Sequence, residues 1–315
     1  MDNENKLLVL SRDSGHYAQL VEELAFDGLD IVHADSPSHA KTYLNKCNII
    51  LGEPSKIAPV IHGAGRLVWV QSAWAGVNEL VKPHIRTDYT LTGVKGIFGP
   101  MMSEYVFGYI FLLERHILEM HAHQKKKHWQ PNTFRTLQNR LLGVAGLGSI
   151  GRHIAKNAKQ FGMKVWGYKH ASGTTDHVDR VFTGNQFNTF LAGPEYIVIC
   201  LPDTPKTRHL FNRASFDVMR KEAVLINVGR GSVVSERALI EALNENRIQG
   251  AVLDVFEKEP LPEDSPLWEH PDVLVTPHVS ALSFPEDIVK IFAENYRRFT
   301  LGRSLQYVID FAKGY

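Results

Sequence analysis

Residues 141–168 read LLGVAGLGSIGRHIAKNAKQFGMKVWGY. An apolar run over 141–145 leads directly into G-x-G-x-x-G at Gly146, Gly148 and Gly151. Ile150, Ile154, Ala155, Ala158 and Phe161 then recur at helical spacing, and a second strand-like run occupies 164–168. Strand, glycine turn, helix and strand in this order form the unit that binds a dinucleotide. The first glycine makes the tight turn, the second lets backbone amides approach a pyrophosphate, and the third lets helix and strand pack closely. Ser149 and Ile150 open the helix, whose N-terminus offers partial positive charge to the phosphates.

About 140 residues precede this motif, enough for another folded domain. Over the first 95 or so residues, runs at 6–10, 29–33, 48–51, 67–70 and 89–92 read as strands. Helices or helical turns at 17–26, 38–45, 58–62 and 77–81 fall between them. Such alternation implies a parallel sheet with helices on both faces. No glycine-rich phosphate turn occurs there, so a second nucleotide site is not expected. Gly99-Pro100 opens a long helical pattern over 101–127, and a polar stretch over 128–139 separates it from the glycine motif. Beyond the motif, strands are expected at 196–201, 223–228, 250–255 and 273–276, with helices at 212–219, 236–246 and 287–299. The fold class is therefore α/β, with two doubly wound parallel-sheet domains.

The composition fits an ordinary soluble globular protein. The chain has 315 residues, 44% hydrophobic and 22% charged, with a formal net charge of +1. That charge favours neither nucleic acid nor an anionic membrane as partner. No run approaches the roughly 18 apolar residues of a membrane span. The polar start MDNENK does not resemble a signal peptide, and a cytoplasmic location is expected. Cys47 and Cys200 lie in or beside apolar runs and read as buried thiols. No metal site is expected: His116, His121 and His123 lack a ligand spacing. The run Lys125-Lys126-Lys127-His128 reads as a solvated helix end.

Three later segments put charged residues where apolar strands end, which is where open α/β sheets bind ligands. Arg230 stands between Gly229 and Gly231 after the run 224–228, with little to pack against, and its planar fork suits a carboxylate. Asp254 ends the run 250–255 and is followed by Glu257 and Glu259. For Glu257 the preferred reading is a solvated acidic turn. His278 follows Thr276-Pro277 at the end of a third strand. A lone histidine is more often structural, but an arginine and a glutamate at neighbouring strand ends reverse that expectation.

Together these segments resemble the D-isomer-specific 2-hydroxyacid dehydrogenase family. The resemblance spans nearly the whole chain: the late glycine motif, L-P-x-T-x-x-T-R-H-L at 201–210, N-V-G-R-G at 227–231, D-V-F-E-x-E-P at 254–260, S-P-L-W at 265–268 and T-P-H at 276–278. Within the family the glyoxylate/hydroxypyruvate reductase branch looks most similar. The resemblance implies a flavodoxin-like substrate domain (residues 1–98 and 281–315) and a Rossmann dinucleotide-binding domain (residues 99–280), with the active site in a cleft, and a homodimer. His278 would be the acid/base that protonates the keto oxygen as hydride arrives. Glu259 would raise its pKa. Arg230 would hold the substrate carboxylate and polarise the keto oxygen, and Asp254 would bond the nicotinamide amide. Leu201, Pro202, Thr207, Val228, Gly229 and Ser280 would also line the cofactor. Ser72-Ala73-Trp74-Ala75-Gly76-Val77 matches the family's carboxylate loop, with the amides of Ala75 and Gly76 as donors and Trp74 either a pocket wall or packing. The loop's usual following aspartate is Asn78 here. The residue types agree with this chemistry, because reducing a 2-keto acid needs a hydride donor, a proton donor and a carboxylate clamp. The alternative is a non-enzymatic NAD(H)-sensing scaffold of the same fold. Formate dehydrogenase is disfavoured because it carries glutamine where Glu259 stands.

Cofactor choice turns on the residue after the second strand of the motif. For NAD an acid there bonds the adenosine ribose. Here the position is Lys169, followed by His170, a pair suited to a 2′-phosphate. NADP is expected over NAD.

Overall fold

The computed structural model describes residues 5–314. They divide into two compact units, one running up to Ile97 and resuming at Ser283, the other spanning Phe98–Leu282. In the first unit, strands β1 (Asn5–Leu10), β2 (Leu29–Ala34), β3 (Ile49–Gly52), β4 (Trp69–Ser72) and β5 (Thr90–Thr92) alternate with α1 (Ser14–Glu22), α2 (Pro37–Ala40) and α3 (Pro54–Ile57). The sheet is parallel throughout, in the order β2-β1-β3-β4-β5, which is the flavodoxin-like order. Leu8, Leu10, Ile50, Val70 and Leu91 bury one face. On the other, Trp69 stacks on Phe292 of the C-terminal helix Pro285–Thr300, ring centroids 5.2 Å apart. That helix buries Ile288, Val289, Phe292, Ala293 and Tyr296 along one stripe, a 3.6-residue period. Pro285 starts it, with acids in its first turn and arginines in its last.

The second unit opens with α4 (Gly99–Glu114) and α5 (Ile117–Lys125). Next come β6 (Leu141–Ala145), α6 (Ser149–Gln160), β7 (Lys164–Tyr168), β8 (Arg180–Phe182), α7 (Phe187–Leu191) and β9 (Tyr196–Ile199). It ends with α8 (Arg213–Val218), β10 (Val224–Asn227), α9 (Glu236–Asn244), β11 (Gly250–Leu253) and β12 (Val273–Val275). All seven strands are parallel, in the order β12-β11-β10-β9-β6-β7-β8. Leu142, Val144, Val198 and Ile226 face α4 and α6, while Ile197, Ile199, Leu225 and Leu253 face the opposite helical layer. Burial of both faces explains why the strands read as unbroken apolar runs rather than alternating ones.

The expected helix over 101–127 is two helices. His116 has φ of 50° and breaks it. The cause lies at Glu114, the last residue of α4, whose buried carboxylate accepts the Tyr196 hydroxyl and pairs with Arg135 and Arg140. Beyond that anchor α5 buries none of its residues, so no packing holds the axis straight. Two short elements, β8 and α7, were not foreseen. Among the described residues no helix is long and apolar enough to cross a membrane.

Glu114→Ala removes a buried carboxylate from a cluster holding two arginines. Arg140 keeps Glu195 as a partner, so the expected loss is about 2–4 kcal/mol rather than the full cost of an orphaned charge. Urea unfolding of the variant against wild type measures it, and an unchanged midpoint would show that the cluster carries no stability.

Candidate active site

The residues singled out for ligand chemistry in the second unit lie at the carboxyl end of a strand, in the loop that follows, or in the first turn of the helix after it. β6 ends in the glycine turn. Gly146 has φ of 103°, which a side chain would strain, and its amide bonds the Tyr168 carbonyl at the end of β7. A Cβ on Gly151 would lie 1.9 Å from the Gly146 carbonyl oxygen, so only glycine lets α6 start against the turn. Gly148 caps that helix, and open space surrounds the point where its Cβ would stand. The first amides of α6, at Ser149 and Ile150, are therefore available to an anion. These features fit a dinucleotide pyrophosphate.

β7 ends at Tyr168, so Lys169 is the first residue after it. The Lys169 amide bonds the Phe182 carbonyl, and its ammonium reaches the Thr174 carbonyl and the Thr175 hydroxyl at 3.3 and 3.0 Å. His170 is exposed. After β9, the Thr207 hydroxyl donates to the Pro202 carbonyl at 2.6 Å and closes the loop that begins at Leu201.

After β10, the buried Asn227 side chain accepts from the Gly229 amide and donates to the Arg230 carbonyl. This fixes the loop that carries Val228, Gly229 and Arg230. A Cβ on Gly231 would fall 1.9 Å from the Phe256 backbone, so the arginine loop presses directly on the loop after β11. Arg230 donates to the Gly229 carbonyl at 2.6 Å. Burial lowers its pKa, and Glu259 and Asp203 counter that.

The His278 ring lies beside this loop. Its Nδ1 stands 2.7 Å from Glu259 Oε2, while Glu259 Oε1 accepts the Phe256 amide at 3.0 Å. The carboxylate is thus held from both sides. Its hydrogen bond holds His278 above the ordinary 6.5, against opposing burial and the nearby Arg230 charge. Burial alone would raise Glu259, but bonds from His278 and the Phe256 amide, with the His278 and Arg230 charges, bring it below the ordinary 4.5. With Nδ1 engaged, Nε2 is the nitrogen free to give or take a proton. The stability contributed by the raised histidine is present at low pH and lost as pH rises through its folded value. The lowered carboxylate contributes above its ordinary value and loses this as pH falls. The pair therefore stabilises most between about pH 4.5 and 6.5.

Asp254 is wholly buried. Its carboxylate accepts the Thr276 hydroxyl and the Val279 and Ser280 amides. The spacing pattern had signalled none of these bonds. Glu257 is exposed, as a solvated turn would have it, but it is also tied down. Its carboxylate accepts the Glu236 amide at the start of α9, Glu236 accepts the Glu257 amide in return, and His209 lies 3.4 Å away. Trp74, Ala75 and Gly76 belong to the first unit, directly after β4. There the Ser72 hydroxyl donates to the Trp74 carbonyl and accepts its amide, and the Trp74 ring is exposed.

Known proteins resemble this chain in sequence and in fold. A family model described as D-isomer specific 2-hydroxyacid dehydrogenase, NAD binding domain, matches residues 107–280. A glyoxylate/hydroxypyruvate reductase A of Photorhabdus laumondii is 33% identical over 217 residues, 69% of each chain. Among solved structures, a D-isomer specific 2-hydroxyacid dehydrogenase family protein of Aeromonas salmonicida superposes with a TM-score of 0.95 at 43% identity, covering 98% of this chain and 99% of that one. An NADPH-dependent glyoxylate/hydroxypyruvate reductase of Sinorhizobium meliloti, solved with NADP and sulfate, gives 0.89 at 28% identity, covering 99% and 100%.

Gly151→Ala should push the start of α6 off the glycine turn, since the clash is with backbone rather than a movable side chain. The expected result is a stability loss of about 1–3 kcal/mol with weakened dinucleotide binding. Thermal unfolding with and without nucleotide reads both, and normal binding would show that the turn tolerates a methyl group.

Proposed function

The chain belongs to the D-isomer specific 2-hydroxyacid dehydrogenase family, and we propose that it reduces glyoxylate, hydroxypyruvate or a closely similar 2-keto acid with NADPH. Members are NAD(P)-dependent oxidoreductases, and this chain is one. The observation that carries the finer reading is the His278–Glu259 pair at 2.7 Å within the field of Arg230. When bound, the nicotinamide cofactor supplies the hydride to the carbonyl carbon. The protonated His278 gives its Nε2 proton to the carbonyl oxygen as negative charge develops there. Glu259 keeps the imidazole charged and oriented. Arg230 binds the substrate carboxylate and draws charge from the keto oxygen. The amides of Ala75 and Gly76 are assigned as further carboxylate donors, and Asp254 as a partner of the nicotinamide amide. In this reading residues 99–280 bind the nucleotide, while 1–98 and 281–315 serve the substrate.

The proposed preference for NADP rests on Lys169 as the first residue beyond β7. The Sinorhizobium relative, whose structure holds NADP, is one precedent. A homodimer belongs to the same reading. Ile117, Leu118, Met120, Trp129 and Phe134 are exposed, and a second copy would cover them. A monomer mass by light scattering at micromolar concentration removes that part.

The direct test is NADPH oxidation over a panel of glyoxylate, hydroxypyruvate, pyruvate and phenylpyruvate. Turnover of none of them would favour a cofactor-sensing scaffold instead. His278→Ala should lower kcat by about 10²–10⁴-fold with cofactor binding retained. Glu259→Gln should move the basic limb of the kcat/KM profile for reduction to lower pH, because the protonated histidine is then lost earlier. A limb that stays in place removes Glu259 from this role. Lys169→Asp exchanges a cation for a ribose acceptor, and a charge-assisted contact is worth about 1.5–3 kcal/mol. The ratio of kcat/KM for NADPH to that for NADH should fall by roughly ten- to a hundredfold at one fixed ionic strength. A wild type that prefers NADH would make Lys169 a brace for the Thr174–Thr175 loop and nothing more.

A further inference from the structure

The geometry points to Tyr105 and Thr276 as positioning residues that hold the His278 turn through Asp254, an inference that rests on the reading of His278 as proton donor. His278 has φ of 55°, a backbone region disfavoured for any residue with a Cβ. Such a conformation is fixed where its surroundings over-determine it. Here they do. The His278 amide donates to the Asp254 carbonyl at 2.9 Å and to the Thr276 carbonyl at 3.1 Å. The Val279 amide donates to Asp254 Oδ1 at 2.8 Å, and the Ser280 amide to Oδ2 at 2.9 Å. The turn that carries the histidine is thus wrapped around one buried aspartate.

That aspartate is steered in its turn. The Thr276 hydroxyl stands 2.5 Å from Asp254 Oδ1, and the Tyr105 hydroxyl 2.7 Å from Thr276 Oγ1. A carboxylate can only accept, so the threonine proton points at Asp254. Thr276 Oγ1 must then accept from Tyr105, which leaves one proton order along the chain. Tyr105 is suited to donate here: it sits on α4, burial raises its pKa and keeps it protonated, and Tyr109, whose ring centroid is 4.7 Å away, interacts with its hydroxyl. Asp254 Oδ1 is saturated by Thr276 and Val279, whereas Oδ2 accepts only Ser280 and retains a free lone pair. Without the threonine proton the carboxylate keeps only the Val279 and Ser280 amides, its orientation is less tightly fixed, the turn loosens, and the His278 ring shifts from its place beside Glu259. The residues charged toward that ring are Glu259, Arg230 and Asp254, and none is altered by changing Tyr105 or Thr276.

The test uses the full-length protein with Thr276→Val, Thr276→Ser, Tyr105→Phe and the Tyr105→Phe/Thr276→Val double variant. Two readouts are taken: steady-state reduction of the best 2-keto acid, and the NMR titration of the His278 imidazole without added nucleotide, assigned by its loss in His278→Gln. Misplacement of a reacting group by about 1 Å can cost on the order of a hundredfold, so Thr276→Val should lower kcat by roughly ten- to a hundredfold with KM nearly unchanged. Its His278 midpoint should move down toward the ordinary value. Tyr105→Phe should move both readouts the same way by less, Thr276→Ser should recover most of each, and the double variant should be no worse than Thr276→Val. A wild-type midpoint and kcat in both Tyr105→Phe and Thr276→Val, or losses that multiply in the double variant, overturn the proposal. If Thr276→Val does not fold, Tyr105→Phe against Thr276→Ser decides. A wild type that reduces no 2-keto acid sinks the proposed reaction, while the imidazole titration still reports on the turn.

Discussion

Parallel pairing along the seven-stranded sheet is the constraint from which the rest follows. In a parallel sheet every strand runs the same way, so every carboxyl end reaches the same edge. Residues as far apart in sequence as Gly146, Lys169, Pro202, Arg230, Asp254 and His278 therefore stand along one edge, at the roughly 4.8 Å spacing of neighbouring strands. No single segment has to carry a constellation of groups. Each crossover contributes one or two residues, and the buried apolar runs fix where each run stops. Burial of both sheet faces makes that edge rigid: sliding any strand would move apolar side chains out of two cores at once.

Much of this was legible in the sequence because the signals were local. Gly146, Gly148 and Gly151 stand between two apolar runs, and the two strands of that unit begin and end where those runs do. The other strand ends fall within one or two residues of the expected positions, since a buried run has a sharp hydrophobic limit while its last hydrogen bond does not. Signals that depend on distant partners were not legible. The break at His116 depends on Glu114 meeting Tyr196, Arg135 and Arg140. The segment holding β8 and α7 is short, and its aromatic residues become a core only when Phe182, Phe187 and Phe190 meet Tyr168 and Trp166 of β7.

The same limit applied to the candidate site. Arg230, Glu259 and His278 announce themselves as charged residues after apolar runs. What holds them does not. Asn227, buried at the end of β10, reads in sequence as one more strand residue, yet its side chain ties both ends of the arginine loop. Glu257 looks like half of a solvated acidic turn, and although it is exposed it also exchanges backbone bonds with Glu236 at the start of α9. Polar groups of this kind act through backbone amides that any sequence would supply, so their identity leaves no periodic trace.

The strand order also separates two properties. β7, whose end carries Lys169, lies on one side of β6, while β10, β11 and β12, which carry Arg230, Asp254 and His278, lie beyond β9 on the other. The nearest of them is three strand spacings from β7, or about 14 Å, past the range at which substitutions usually couple. If Lys169 and His278 carry the proposed roles, nucleotide preference and proton chemistry are separately heritable in this architecture. A lineage could exchange one cofactor pool for the other by drift at the end of a single strand and leave the reaction itself untouched.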